Sequence, residues 1–591
     1  MYQKQYFVPK TSGTYAETLE AYGLAIILDE IFRANNIQKP KVKIQDTGGF
    51  YAVSARTEVT EEMVRNTPYF NAFPYIKTEK DKNTNLPSDF IDYVKEKEIH
   101  DNFRDFKKSI SDLDRNGYKK AIENYENKPH FDYDIFSKIQ VNSLGGYLKA
   151  FNNVFTNKDY YSEFLKQILL LYSSLQDDAK SVDDNFRKLK KENKFNKIEK
   201  IKSLQFFNPH QGKGVNSEKS NSISLKQLPL FWFKEYLKMA GCYKSMLVED
   251  VKVSDQKWDS KFYVVEPRSL ELNLLNTIYR SFKPSITGIS SVKLDISSIL
   301  RYTKTFIEKS EEYQQKKPSF SKRFNPQEFV SGFHTAYQKN LGQNLAVSNI
   351  GYLRLPDFIE ISSYEEGNKW IHILDEHVRV ISKINEDIGS TTSMLHHYRQ
   401  FLSSGVLDEF FEFNFEYAAL LMHDIALPNR HASKRRLEPF ALNLLEEFLM
   451  SAEKEFKPIL EVEGFRNVAK AIRKSTISEQ YRKAKGKQQF DICYGMAQDL
   501  KRKSPYKEDL VTYLSEFIAN YNVETARFVE RHPELAKAGK VRATVKMQDI
   551  DELVGLIDEY GSDVIGKLLS AYGYALDRKE KFGEPAEDSK N

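Results

Sequence analysis

The stretch AETLEAYGLAIILDEI (residues 16–31), followed by VKIQDTGGFYAV (residues 42–53), decides how the first part of the chain folds. Apolar residues of the first stretch recur at helical spacing, which predicts an α-helix. Thr14 is a candidate N-cap for this helix, and Glu17 would complete a capping box with it. The second stretch has two β-rich runs around a turn with two glycines, which predicts a β-hairpin. The chain therefore begins as a mixture of helix and strand.

The middle of the chain continues this mixture. Two further strands are expected at residues 261–265 and 357–361, where β-branched and aromatic residues are concentrated. Residues 147–175 carry apolar residues at helical spacing, which predicts a long helical stretch. The Lys- and Asn-rich run at residues 180–202 favours a solvated charged surface, since such runs usually face water.

The C-terminal third indicates helices alone. The two clearest helices are the last ones: the first has an apolar stripe that ends at Gly561, and Ser562 is a candidate cap for the second. We therefore predict an α+β fold in which a mixed N-terminal domain is followed by an all-α helical bundle. The predicted segments are a domain at residues 1–385, a bundle at residues 386–578 and a disordered polar tail at residues 579–591.

The composition excludes several classes of protein. The 591 residues include only two cysteines, Cys242 and Cys493, which cannot build a disulfide framework or a cysteine-based zinc site. A cytoplasmic, reducing location is the simplest expectation. No apolar run is long enough to span a membrane, and the N-terminus lacks the apolar core of a signal peptide. The net charge of +5 is small, so only local clusters of charge could indicate a nucleic-acid partner.

A glycine-containing segment, FFNPHQGKGVNSEK (residues 206–219), has residue types that suit a DNA groove. Glycine lets a backbone approach closely, lysine can meet a phosphate, and asparagine and glutamine can hydrogen-bond base edges. The segment lacks the spacing of a Walker loop or of a dinucleotide fingerprint. An ordinary turn before the helix that contains residues 231–233 is the alternative. The candidate motif-reading residues are Asn208, Gln211, Gly212, Lys213, Gly214, Asn216 and Lys219.

A second candidate is a basic cluster in the C-terminal part. Residues 466–503 contain eleven lysines and arginines but only three acidic residues. Such a face could track a phosphate backbone, and its binding should then weaken steeply with salt. A solvated helix surface is the alternative. The candidate backbone-contacting residues are Arg473, Lys474, Arg482, Lys483, Lys485, Lys487, Lys501, Arg502 and Lys503.

A metal-dependent hydrolase is the third possibility. His423 and Asp424 are adjacent, with His396, His397 and His431 nearby in sequence, and a His-Asp pair can bind a metal and activate water. A chain with 11 histidines and 83 acidic residues contains such dipeptides by chance, which favours a packed helical His423. No nucleophile elbow is present and neither cysteine has a catalytic context. We expect no enzyme activity, metal or cofactor, with a His-Asp phosphohydrolase as the alternative function.

Three segments taken together resemble a known family. They are residues 16–25 with the hairpin that follows, the loop at residues 208–219, and the end of the chain, which includes residues 490–503 and 568–575. Their order and the overall length resemble the large subunit of type I CRISPR Cascade surveillance complexes, in the I-A/I-B branch. The C-terminal bundle is similar to a fused small subunit.

The resemblance implies a division of labour. The N-terminal domain would hold the 5′ end of the guide RNA, contact the backbone-forming subunits, and read the protospacer-adjacent motif on target double-stranded DNA. The bundle would act like the separate small subunits and stabilise the displaced strand of the R-loop. Cleavage would be delegated to a recruited helicase-nuclease, and transposon-linked relatives recruit transposition proteins instead. In this branch the bundle is often also made from an internal start, for which Met450 is a conceivable position.

Overall fold

The computed structural model describes eight stretches of the chain, and the chain divides into two compact units. Unit 1 comprises Met1–Ser291 and Gln327–Leu355, and unit 2 comprises Val292–Pro326 and the chain from Pro356 onwards. The described stretches are residues 1–175, 179–192, 195–210, 232–286, 288–342, 345–386, 389–427 and 436–577.

All ten strands of the described stretches belong to unit 1. They are β1 (Gln5–Pro9), β2 (Lys43–Asp46), β3 (Phe50–Ser54), β4 (Ile76–Lys77), β5 (Ile91–Asp92), β6 (Met246–Lys252), β7 (Trp258–Pro267), β8 (Ser269–Glu271), β9 (Val330–Asn340) and β10 (Leu345–Arg354). One antiparallel sheet has the order β1-β3-β2-β8 and a second has the order β10-β9-β7-β6. β4 and β5 make a short parallel pair.

Both units contain helices, and helices make up most of unit 2. Those of unit 1 are α1 (Tyr15–Ala34), α2 (Glu61–Asn66), α3 (Tyr93–Ser109), α4 (Arg115–Asn124), α5 (Tyr133–Asn142), α6 (Leu144–Phe155), α7 (Tyr161–Leu171), α8 (Ala179–Glu192), α9 (Trp232–Ser245) and α10 (Leu272–Phe282). Those of unit 2 are α11 (Ser291–Lys309), α12 (Glu311–Gln314), α13 (Tyr364–Lys383), α14 (Gly389–Ser404), α15 (Leu407–Ala426), α16 (Leu442–Ala452), α17 (Phe456–Glu461), α18 (Glu463–Ser475), α19 (Ile477–Ala484), α20 (Met496–Lys503), α21 (Lys507–Arg531), α22 (Pro533–Lys537), α23 (Met547–Tyr560) and α24 (Ser562–Gly573). The predicted α+β class, with a mixed first part and a helical C-terminal part, is confirmed.

The start of the chain folds largely as predicted. The hairpin is formed by β2 and β3, with Ile44 opposite Val53. Thr14 caps α1, because its side-chain oxygen accepts a hydrogen bond from a backbone N–H of the first turn. Glu17 does not complete a capping box with it: its carboxylate accepts from the Ser12 N–H at 3.1 Å and so stabilises the preceding turn instead.

α1 and α9 cross at very close range. A Cβ atom added to Gly23 would lie 2.1 Å from the carbonyl oxygen of Leu237, and one added to Gly241 would lie 2.0 Å from that of Leu19. No side chain fits into such gaps, so glycine at both positions is what lets the two backbones touch. The crossing holds α9, which carries the charged residues described below, against the start of the chain.

One part of the unit 2 core is a cluster of aromatic rings around His377. His377 is 3% exposed, makes a 2.5 Å hydrogen bond with the hydroxyl of Tyr398, and packs against the rings of Phe410, Phe440 and Phe448. Burial lowers the pKa of His377 to about 3, so the imidazole is neutral at physiological pH. This ring is therefore a packed core residue.

The predicted domain boundary after residue 385 differs from the observed division. α11 and α13 precede that boundary but belong to unit 2, and α13 packs against α16 within it. The predicted boundary follows the end of the strand patterns in the sequence, whereas these two helices bury their apolar faces in the helical unit. The predicted tail at residues 579–591 lies outside the described stretches.

Three local predictions need correction. Residues 357–361 form no strand but a single bridge between Phe324 and Ile361. The stretch 147–175 is divided between α6 and α7 by a short 3₁₀ turn. Ser562 is the first residue of α24 and not its cap, because the preceding Gly561, with φ of +89°, already occupies the cap position.

Candidate nucleic-acid interface

Asn208, the first of the predicted motif-reading residues, is buried in unit 1. Its amide nitrogen donates to the carboxylate of Glu235 at 3.0 Å, and its amide oxygen accepts from the ammonium of Lys238 at 2.7 Å. Both partners lie on α9 and are themselves buried. The structure corrects the prediction for Asn208, because its polar atoms are engaged inside the protein and cannot reach a base.

A wider buried ionic network surrounds this asparagine. The ammonium of Lys238 also lies 3.0 Å from Glu235 and 3.9 Å from Glu20, which accepts a 2.6 Å hydrogen bond from the Tyr172 hydroxyl. Burial alone would lower the pKa of Lys238, but the charges of Glu235 and Glu20 raise it above its ordinary value. The lysine therefore stays charged, and hydrogen bonds to it are of the strong, charge-assisted kind.

The other predicted motif-reading residues, Gln211, Gly212, Lys213, Gly214, Asn216 and Lys219, lie outside the described stretches. The chain enters the intervening segment at His210 and leaves it at Trp232, the first residue of α9. Asn208 and Glu235, which are hydrogen-bonded to each other, stand just outside the two ends. The ends of the segment are therefore held close together.

Two residues of the predicted basic cluster are not free surface groups. Arg473 is 3% exposed, and its guanidinium donates twice to the carbonyl oxygen of Tyr572, at 3.1 and 3.3 Å. It thereby satisfies a carbonyl of the last turn of α24, which is a structural role. Lys474 is half-buried.

Three further residues of the cluster already pair with carboxylates. Arg502 remains largely exposed (73%), and an exposed ion pair contributes little, so a phosphate can replace the carboxylate there. The other two pairs are more covered. The pairs are Arg482–Glu479 (3.6 Å), Lys501–Glu412 (2.5 Å) and Arg502–Asp499 (2.7 Å).

Lys483 and Lys503 instead lie beside tyrosine rings. The ammonium of Lys483 is 3.0 Å from the hydroxyl of Tyr494 and 5.6 Å from its ring centre, and that of Lys503 is 5.0 Å from the ring centre of Tyr513. Within the described stretches, neither lysine has a carboxylate at ion-pair distance. Tyr494 is half exposed (50%), so a base could stack on it while a phosphate meets the ammonium.

Lys485 and Lys487 lie on the turn that ends α19. The Gly486 N–H donates to the carbonyl of Lys483 at 2.9 Å, and the Lys487 N–H donates to that of Arg482 at 2.8 Å. These two bonds define a Schellman motif, and Gly486 has the positive φ of +68° that this motif requires. The turn leaves both lysines exposed to solvent.

An arginine whose side chain is only 3% exposed, and which sequence reasoning missed, fixes the segment after this turn. The guanidinium of Arg542 lies 3.7 Å from the ring centre of Phe490 and 4.0 Å from that of Tyr521. The Phe490 N–H also donates to the buried carboxylate of Glu479 at 3.1 Å. The backbone at Phe490 is thus fixed in place, and the residues on either side of it remain exposed. No sequence signal marks Arg542, since its partners lie in other elements.

We call six residues of α19, α20 and the segment between them the basic surface. Its members combine five cationic side chains with one aromatic ring, and all are at least partly exposed. Such a surface can hold phosphates by charge and a base by stacking. Tyr494 was missed by the sequence analysis, although an aromatic residue between two basic runs was a signal for it. The basic surface comprises Lys483, Lys485, Lys487, Tyr494, Arg502 and Lys503.

His431 of the hydrolase alternative lies outside the described stretches, and the other histidines of that alternative form no metal-ligand cluster within them. His423 is exposed on the last turn of α15, contrary to the expectation that it is packed, and the carboxylate of Asp424 accepts from the Leu437 N–H at 3.2 Å. His397 is paired with Glu409 at 2.6 Å. Within the described stretches no three His, Cys, Asp or Glu side chains come together as metal ligands.

In the part of the chain that the structure describes, no helix is both long and apolar enough to cross a membrane. Neither the protein-family models nor the curated proteins give a match to the chain.

Proposed function

We propose that this chain is the non-catalytic large subunit of an RNA-guided DNA surveillance complex of the type I CRISPR Cascade kind. It recognises the protospacer-adjacent motif, helps to open the duplex, stabilises the R-loop and recruits a downstream effector. The observation that carries the proposal is the basic surface, where exposed Tyr494 lies beside the ammonium of Lys483 in the part that resembles a small subunit.

The division of labour in such a complex suits this surface. Base pairing with the guide RNA supplies most of the sequence specificity, so the protein needs a short motif reader and a positive path for DNA. The displaced strand is single, and its unpaired bases can stack on an aromatic ring for about 1–3 kcal/mol each. Exposed Tyr494 beside Lys483 provides one such place, and the other lysines lie along the same stretch of chain.

The motif reader is proposed to be the segment that begins after His210. Gln211, Lys213 and Asn216 supply the donors, acceptors and charge that a base edge and a phosphate need. The bond between Asn208 and Glu235 supports this role, because it holds the two ends of the segment close together. The partners would be guide RNA, target DNA, the other Cascade subunits, and a helicase-nuclease or transposition proteins, all in the cytoplasm.

The test is DNA binding by the guide-loaded complex, reconstituted with and without this chain, on targets with correct and scrambled flanking motifs. A triple variant, Lys483→Gln with Lys485→Gln and Lys487→Gln, removes three charges from the basic surface. A matched control changes Lys188, Lys190 and Lys191, three exposed lysines of the unit 1 helix α8. Both triples lower the net charge from +5 to +2.

We expect the chain to confer binding that depends on the flanking motif. The basic-surface triple should weaken binding and reduce the slope of log K against log salt by about 2, since each single-strand phosphate contact contributes about 0.7. The α8 triple should leave that slope unchanged. Equal losses in both triples would show that only net charge matters and would remove the basic surface from the proposal. If the complex binds equally well without this chain, the proposed function is wrong.

A further inference from the structure

A cleft in unit 2 is lined by three cationic side chains, none of which belongs to the basic surface. Its volume is about 240 Å³, and Arg323, Lys369 and Lys454 line it together with Trp370. Arg323 comes from the segment before the Phe324–Ile361 bridge, Lys369 and Trp370 come from α13, and Lys454 follows α16. Three separate parts of the chain therefore bring positive charge to one small space.

The two carboxylates that line the cleft are already engaged. Glu360 forms a 2.9 Å ion pair with Arg323. Glu366 turns toward Ser362, whose backbone N–H and hydroxyl donate to the carboxylate at 2.7 and 2.6 Å. The carboxylate of Glu366, three residues before Lys369 on the same helix, is thus hydrogen-bonded to the residue that precedes the helix cap. The start of α13 is satisfied from within, so the cleft does not depend on it for binding an anion.

Among the described residues, Lys369 and Lys454 have no counter-ion. Both are exposed, and no carboxylate of the described stretches lies at ion-pair distance from either. Trp370, only 4% exposed, lines the same space, and its indole N–H makes no hydrogen bond to a described residue. Two unpaired ammonium groups and an unused N–H donor around one cleft are the donor set that a phosphate needs.

We propose that this cleft binds a phosphate group of a nucleotide, with Lys369 and Lys454 as the principal contacts. A pocket of this volume lies just below the usual range of about 300–1,000 Å³ for small-molecule sites, so it takes one phosphate-bearing unit and not a dinucleotide. The phosphate could belong to a free nucleotide or to a nucleic-acid strand, and the two sources share the same chemistry. The inference does not rest on the proposed function, since it can be tested on the isolated full chain.

The experiment uses the intrinsic fluorescence of Trp370 in the full-length protein. The probes are inorganic phosphate, adenosine monophosphate, adenosine, and a short DNA oligonucleotide with and without a 5′ phosphate. The signal is assigned by its loss in Trp370→Phe. A double variant, Lys369→Gln with Lys454→Gln, is compared with a matched double, Lys383→Gln with Lys457→Gln, which removes two lysines outside the cleft. Near-ultraviolet circular dichroism confirms that every variant is folded.

We expect saturable binding of adenosine monophosphate, no binding of adenosine, and competition by inorganic phosphate. The cleft double should lower the affinity about tenfold, because two charge-assisted contacts are lost, whereas the matched double should change it less than about twofold. If the oligonucleotide competes with adenosine monophosphate, the cleft also binds phosphates of nucleic-acid strands. If it does not compete, the cleft binds free nucleotides alone. No saturable signal with either the nucleotide or the oligonucleotide, or equal losses in both doubles, overturns the proposal.

Discussion

Replacing Asn208 by alanine separates a structural role from a DNA-reading role. The side chain makes two hydrogen bonds with charged groups, one to Glu235 and one from Lys238. Each such bond contributes about 1.5–3 kcal/mol, so their joint loss should destabilise unit 1 by about 4 kcal/mol. Lys238 and Glu235 keep their own 3.0 Å contact, which limits the damage. With a urea dependence of about 2 kcal/mol per molar, the unfolding midpoint of unit 1 should fall by about 2 M.

The assay is urea unfolding followed by tryptophan fluorescence in a Trp370→Phe background. The remaining tryptophans, Trp232 and Trp258, both lie in unit 1, so the signal reports on that unit. Asn273→Ala is the matched control, because Asn273 also accepts from a charged group, but on an exposed surface. It should cost less than about 0.5 kcal/mol. If Asn208→Ala unfolds at the same urea concentration as this control yet weakens motif-dependent DNA binding, the structural assignment is refuted.

Three further predictions concern stability. Burial holds the pKa of His377 at about 3, so as pH falls below 6.5 the unfolded chain binds a proton that the folded chain does not. The free energy of unfolding of unit 2, measured with urea, should therefore fall by about 2 kcal/mol by pH 5, and His377→Leu should remove this dependence on pH. Burial raises the pKa of Glu249 to about 8, so between pH 4.5 and 8 the unfolded chain loses a proton that the folded chain keeps. Unit 1 should therefore become less stable as pH rises through this range, and Glu249→Gln should remove that loss in the same urea assay. Gly241→Ala should destabilise unit 1 by at least about 3 kcal/mol, because the added methyl group clashes with the carbonyl of Leu19. Gly145→Ala, where the added methyl group meets open space, should stabilise unit 1 by about 0.5 kcal/mol. Thermal denaturation measures both, and equal melting temperatures would contradict the close crossing.

Elements with local signals could be predicted from the sequence. Thr14 stands two residues from the N–H that it caps, and the turn of the first hairpin contains its own glycines. Elements that depend on distant partners could not. β10 was missed because polar Ser348 and Asn349 interrupt its alternation at a bulge, and its pairing partner β9 was equally unmarked. Residues 357–361 have the residue pattern of a strand, but the apolar residue Phe358 packs against the ring of Phe401 and does not belong to a sheet.

The candidate site shows the same dependence on sequence distance. Asn208 and Arg473 have the residue types of a nucleic-acid contact, yet the partners that bury them lie 27 and 99 residues away. The lysines at the end of α19 are different, because the glycine that exposes them is their immediate neighbour at position 486. Counting charges along the chain therefore located the basic region but could not separate its buried members from its exposed ones.

The alternation of the two units along the chain has a consequence for synthesis. β7 receives its second neighbour, β9, only after α11 of unit 2 has been made. A nascent chain that has reached Ser291 therefore carries β7, with Phe262, Tyr263 and Val264 in its centre, as an open edge on which other chains can pair. Shielding by a chaperone is needed most in that interval, and a fragment that stops before Gln327 should aggregate where one that reaches Leu355 should not.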